Sequence, residues 1–331
     1  MANPLRSLLA AALTALVLHG SVLSSAAADG KEQRFDIVAT TGMIADALKQ
    51  VGGDRVSVTA LMGPGVDPHT YRQTRSDIAA MTKAKAVFWH GLYLEAQLED
   101  FLKDLSKRKT VVALAEHIPK DQLLSHPEYK GRYDPHVWMD PRLWKSVVLA
   151  ARDALTALDP AGAETFKAGA ERHLADIDTL ATYADATLKS VPEGVRVLLT
   201  AHDAFNYFGR AFGYEVLGIQ GISTESEAGL SRIESLVRTI VERKIGAIFV
   251  ETSVSDRNVK ALIEGAAAKG HTVIIGGELY SDAMGAPGTY EGTYIGMIDH
   301  NVTAIARALG GDAPEKGLND KLASLQSRSK L

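Results

Sequence analysis

From Phe35 onward the chain repeats one pattern: a short β-branched apolar run, a loop, then a stretch with apolar residues at helical spacing. Phe35 to Thr40, Val56 to Met62, Ala86 to Trp89 and Thr110 to Leu114 are predicted strands, separated by helices over Met43 to Val51, Arg75 to Lys83 and Tyr93 to Leu105. Alternating units of this kind imply a parallel sheet covered on both faces. Strand signal then stops. Pro141 to Leu158 and Pro160 to Val191 are almost entirely helix formers, and the second is unusually long for a globular helix. Alternation resumes with strands over Arg196 to Thr200, Glu215 to Ile219, Ala247 to Glu251 and Thr272 to Gly276. Helices are predicted over Phe205 to Phe212, Ser231 to Arg243, Asp256 to Lys269 and Tyr294 to Leu309. The pattern therefore predicts two α/β halves joined by one long helical segment.

The first thirty residues depart from this pattern. Arg6, an Ala- and Leu-rich run from Leu8 to Leu23, and Ala26-Ala27-Ala28 before Asp29 form a secretory signal peptide over residues 1–28. A membrane anchor needs about 20 uninterrupted apolar residues, and His19, Gly20 and Ser21 break the run. The expected divisions are an N-terminal lobe over 29–159, a connecting helix over 160–192 and a C-terminal lobe over 193–331.

Composition changes the picture in two places. The 331 residues carry a formal net charge of −4, with no basic face for nucleic acid and no polybasic stretch for anionic lipid. Cysteine is absent, so no lipid-bearing cysteine and no disulfide is available. A free protein in the periplasm is expected.

Candidate chemistry is concentrated in four segments: Asp67-Pro68-His69, Asp134-Pro135-His136, Thr200-Ala201-His202 and Tyr280-Ser281-Asp282. In open α/β sheets ligands sit at the carboxyl ends of strands, and these residues are read as following apolar runs. Three imidazoles and one carboxylate make a site for one divalent ion, with zinc, manganese and iron(II) all acceptable to such donors. Two ligands come from each half, which puts the ion between the lobes. Taken singly, each residue has a plainer reading. Asp-Pro pairs initiate turns, His202 and Asp203 lie where a helix cap falls, and Asp282 can cap a turn. His90 and Glu251 also end predicted strands and are candidate neighbours, whereas His117, His126, His173, His271 and His300 read as solvated. No His-Glu-x-x-His pair, Gly-x-Ser-x-Gly elbow or phosphate-binding loop occurs. Four protein ligands leave no open position of the kind a catalytic zinc keeps.

The order of motifs resembles a known family. Asp67-Pro68-His69-Thr70-Tyr71, Tyr133 to Pro141, His202 to Phe205 and Gly277 to Asp282 are similar to the metal-binding solute-binding proteins of ABC importers, in the TroA-like manganese and zinc branch. Phe249 to Thr252 and Gly292 to Ile295 extend the resemblance over essentially the whole chain after the signal. It implies two (β/α)4-like lobes with parallel sheets joined by a single long rigid helix. It also implies one zinc, manganese or iron(II) ion carried as cargo on His69, His136, His202 and Asp282, and a partner in an inner-membrane ABC permease. A monomer that does not itself span the membrane is expected. The His- and acid-rich run of zinc-specialised members has no counterpart in residues 117–132, and His90 stands where the branch commonly has asparagine. Two other functions compete: a secreted metal-dependent hydrolase, which would turn over substrate and leave a position to water, and a metal-binding adhesin.

Overall fold

The computed structural model describes residues 34–125 and 130–323. The signal peptide expected over residues 1–28 and the imidazole of His126 lie outside the described residues. In the first half, β1 (Phe35–Ala39), β2 (Val56–Ala60), β3 (Ala86–Trp89) and β4 (Thr110–Ala113) form a parallel sheet in the order β2-β1-β3-β4. Its helices are α1 (Gly42–Gly52), α2 (Arg75–Lys83) and α3 (Glu99–Ser106). Side chains alternate across the pleat. Ile37, Ala39 and Phe88 point into one apolar cluster, and Val38, Val87 and Trp89 into another on the opposite face.

Two helices follow, α4 (Pro141–Leu158) and α5 (Ala163–Lys189), the latter with 27 residues and so about 40 Å long. The long helix starts later than its sequence pattern implies, because Pro160 to Gly162 form a 3-10 turn first. In the second half β5 (Val197–Thr200) pairs with β6 (Glu215–Gly218) and β7 (Ala247–Glu251) with β8 (Ile274–Leu279), all parallel, and β5 lies beside β7. Around them are α6 (Asn206–Phe212), α7 (Leu230–Arg243), α8 (Arg257–Ala267) and α9 (Tyr294–Ala308). The two-lobed α/β class is as expected. Among the described residues no helix is long and apolar enough to cross a membrane.

The largest apolar cluster is shared by the halves. It runs from Ile37, Met43 and Phe88 through Trp144, Phe166 and Leu180 to Phe205, Phe249 and Met297, so α1, α4, α5 and α9 pack as one layer between the sheets. Asp46 of α1 adds a polar tie by accepting the Tyr294 N–H at the start of α9 at 3.0 Å.

Two expectations fail here. Tyr93 to Leu98 is not helical: Gly91, Leu92 and Tyr93 take positive φ, because the buried Glu95 carboxylate turns back to accept the N–H groups of His90 and Gly91. His173 is not solvated; it is buried on the face of α5 beside α1, and burial lowers its pKa. His117 is exposed, and His271 and His300 are partly covered.

Candidate metal centre

Each ligand candidate is placed by its own local device. In both Asp-Pro-His segments the aspartate Oδ1 accepts the N–H of the histidine two residues on, at 2.9 Å for Asp67–His69 and 3.0 Å for Asp134–His136. The intervening proline fixes φ, so each imidazole leaves its turn in a set direction. His202 follows β5, and its N–H donates to Glu251 Oε1 at the end of β7 at 2.8 Å. Asp282 follows β8, where Asn301 of α9 grips the Tyr280 backbone on both sides, accepting its N–H at 2.9 Å and donating to its carbonyl at 2.7 Å. The Trp138 indole N–H donates to Ser281 O at 2.8 Å and ties that loop to the His136 segment.

His136 corrects the reading that all four residues follow strands. Its segment comes back over the site because Ser125 bridges Tyr133 and the Asp134 N–H donates to Leu124 O at 2.9 Å; a 3-10 turn and α4 then lead away.

The four groups converge. Their ligand atoms lie within 4.8 Å of one another, and all four residues are at most 2% exposed. Nε2 of His136 is 3.3 Å from Nε2 of His69 and 3.4 Å from that of His202. For a tetrahedron with metal–nitrogen bonds of about 2.05 Å the edge is roughly 3.3 Å, so the imidazoles stand at ligand spacing. Asp282 approaches them at 3.2 Å (His202), 3.4 Å (His136) and 3.7 Å (His69). None of these approaches is a hydrogen bond, and both Asp282 oxygens are buried without a hydrogen-bonding partner. The approaches are at ion-pair distances, and a divalent ion among these atoms would take over from the imidazoles as the counter-charge of the buried carboxylate.

A further shell selects which ring nitrogen faces inward. Asp134 Oδ1 accepts Nδ1–H of His136 at 2.7 Å, and Glu251 Oε2 accepts Nδ1–H of His202. That leaves each Nε2 for an ion. Asp134 is held in turn by the Asn206 amide at 3.1 Å, and its carbonyl by the Tyr207 hydroxyl at 2.8 Å. His90, fully buried between Trp138 and Trp144, donates its Nε2–H to Pro135 O at 2.7 Å. Glu251 and His90 were visible in the sequence as strand-end neighbours; Asn301 and Trp138 carried no separate signal.

Charge in the ion-free site follows from burial set against these neighbours. Burial pushes the His69 imidazole down to about 3 despite Asp282. For His136 burial pulls the same way, but Asp134 and Asp282 outweigh it and hold its pKa up at about 9. His202 is likewise raised well above the ordinary value by Asp282 and Glu251 against burial. Burial alone would raise Asp282; His202 and His136 reverse this and hold it well below the usual carboxylate range. The site thus has the donor set, spacing and enclosure to hold one divalent cation.

Known proteins support the same class. The family described as "Zinc-uptake complex component A periplasmic" matches residues 37–308, and the chain belongs to this family. It is 43% identical over 304 residues to the manganese-binding lipoprotein MntA of Bacillus subtilis, covering 92% of this chain and 99% of that one. It is 44% identical over 291 residues to the zinc-binding protein TroA of Treponema pallidum, covering 88% and 93%. The solved structure of the Treponema protein superposes with a TM-score of 0.81 over 83% of this chain and 99% of that chain. Two relatives named for different metals are almost equally similar, so overall identity does not select the ion.

Proposed function

We propose that the protein captures one divalent transition-metal ion between its lobes, on His69, His136, His202 and Asp282, and delivers it in the periplasm to an ABC-type import permease. Lobes over 29–159 and 193–331, joined by the rigid helix of 160–192, and a monomeric chain belong to this reading. The observation that carries it is the convergence of three imidazole nitrogens and the Asp282 carboxylate, all buried, with ligand atoms within 4.8 Å of one another. Family membership supports transport, and the relatives' names support zinc or manganese, with iron(II) compatible with the same donors. Carrying is favoured over hydrolysis because four enclosed protein ligands leave no position for an activated water.

The test is stoichiometry and affinity by competition against a chromophoric chelator. Wild type should bind one zinc ion per chain. His69→Ala, His136→Ala and His202→Ala should each weaken binding well over tenfold, since replacing even groups that only orient metal ligands costs 10–100-fold. His117→Ala, at an exposed position, should change nothing. Intact binding in His136→Ala would overturn the ligand assignment. Metal content of protein from its own periplasm, under separate zinc and manganese limitation, identifies the physiological ion.

A further inference from the structure

The four ligand residues are at most 2% exposed, so an ion gains or leaves the site only when something moves. They are not held equally. Nδ1 of His136 is tied to Asp134, that of His202 to Glu251, and the Asp282 loop to Trp138 and Asn301. His69 differs: among the described residues its Nδ1 has no hydrogen-bonding partner. What fixes His69 is its backbone N–H, accepted by Asp67 Oδ1.

Asp67 is itself held across the cleft. Its Oδ2 accepts the Thr224 hydroxyl at 2.6 Å, from the loop after β6 in the opposite lobe, 157 residues away in the chain, and the Thr70 hydroxyl of its own turn at a longer 3.0 Å. Beside this contact lies a cavity of about 140 Å³, lined by two carboxylates (Asp67 and Glu227), the guanidinium of Arg257, and the polar side chains of Thr224, Gln220, Ser253 and Ser255. It reaches the site's edge, since the Ser253 hydroxyl lies 2.9 Å from that of Ser281, next to Asp282. Gln220 is 6% exposed, and its Oε1 has no hydrogen-bonding partner. A neutral buried oxygen beside a carboxylate, in a space that admits several waters, suits a partly hydrated cation in passage.

We propose that this cavity is the route by which the ion reaches and leaves the centre, and that Thr224 is the positioning residue that keeps it closed. The Thr224 hydroxyl fixes Asp67, Asp67 fixes His69, and rupture of that one cross-lobe bond lets the least-held ligand swing outward. Gln97, in the turn before α3, also reaches the Thr224 loop by donating to Glu225, but that contact is exposed and contributes less. The inference rests on the proposed function.

Stopped-flow release of zinc from the loaded protein into excess chelator tests it. Thr224→Val keeps the shape and removes the donor; release should quicken roughly tenfold, the worth of a hydrogen bond to a charged acceptor, with Kd rising in proportion. Thr224→Ser restores the hydroxyl and should release at the wild-type rate. Ser255→Phe, which fills the mouth of the cavity, should slow association and release together and leave Kd unchanged. Equal melting temperatures of the ion-free variants would establish that each folds. Wild-type release in Thr224→Val, or fast release in Thr224→Ser, would overturn the latch; unchanged rates in Ser255→Phe would overturn the route. Failure of wild type to bind zinc would instead overturn the proposed function, and this inference with it.

Discussion

At the residue scale the centre is governed by two carboxylates that do not themselves face the ion. Asp134 and Glu251 each hold an Nδ1–H, so His136 and His202 keep that proton in every state, and the proton an ion must displace is the one on Nε2. The His136 pKa of about 9 means that this proton is present at neutral pH in the ion-free protein, and His202 behaves the same way; His69, at about 3, is already neutral. The sign is then fixed. A group protonated when free and deprotonated when bound makes binding release protons, so zinc affinity rises with pH until the ion-free group titrates. Between pH of about 6 and 9 the logarithm of the affinity should climb with a slope between about one and two. Chelator competition across that range, with proton release read from calorimetry in buffers of different ionisation enthalpy, measures it. A plateau above pH of about 7 would mean that both imidazoles titrate normally and that Asp134 and Glu251 only orient them. Asp134 was legible as a turn residue of its Asp-Pro-His segment. Its bond to Nδ1 was not, because the same carboxylate serves either purpose depending on how the ring two residues on is turned.

At the scale of elements, periodicity located most helices and strands because each buries one regular face, and the fold class followed from their alternation. It failed where a side chain overrides the local pattern: Tyr93 to Leu98 carries helical spacing, yet the Glu95 carboxylate caps the preceding turn instead. It failed also where burial comes from a partner far along the chain, as for His173 against α1. The long helix was legible in length but not in seating. Gly169 lets α5 lie on the end of α1, for a Cβ there would stand 2.4 Å from Val51 O and 2.8 Å from Gln50 O, both backbone atoms that cannot rotate away. Gly169→Ala therefore sets a helix-propensity gain of about 1 kcal/mol against an overpacking cost of about 1–3 kcal/mol. We expect the clash to win. The ion-free melting temperature should fall by roughly 2–8 °C while zinc affinity stays near wild type, because α5 supplies no ligand. A melting temperature at or above wild type in a thermal scan would show that the two helices can part at no cost.

For the whole molecule the decisive feature is that, besides an outer apolar cluster of its own in each half, the lobes share the largest one. Residues of both sheets meet in one apolar cluster around α1, α4, α5 and α9, the Asp46 carboxylate caps α9 from the other lobe, and Tyr294 of α9 donates to the Trp138 carbonyl at 2.9 Å. A wide hinge opening would expose that layer and break these bonds, whereas close-packed layers tolerate only small sliding. On the proposed function, release of the ion is therefore expected from loops at the cleft, with the lobes nearly fixed. The absence of native cysteine makes the point measurable, since two introduced thiols are the only ones in the chain. Lys107 and Lys269 are exposed on opposite lobes, so Lys107→Cys with Lys269→Cys carries two spin labels without disturbing a core. Pulsed electron resonance should find the distance between them changing by less than about 2 Å when zinc is added to the ion-free protein. A shift of about 5 Å or more would mean that the shared layer shears on binding, and that capture works by closing the lobes instead of by freeing and re-seating His69.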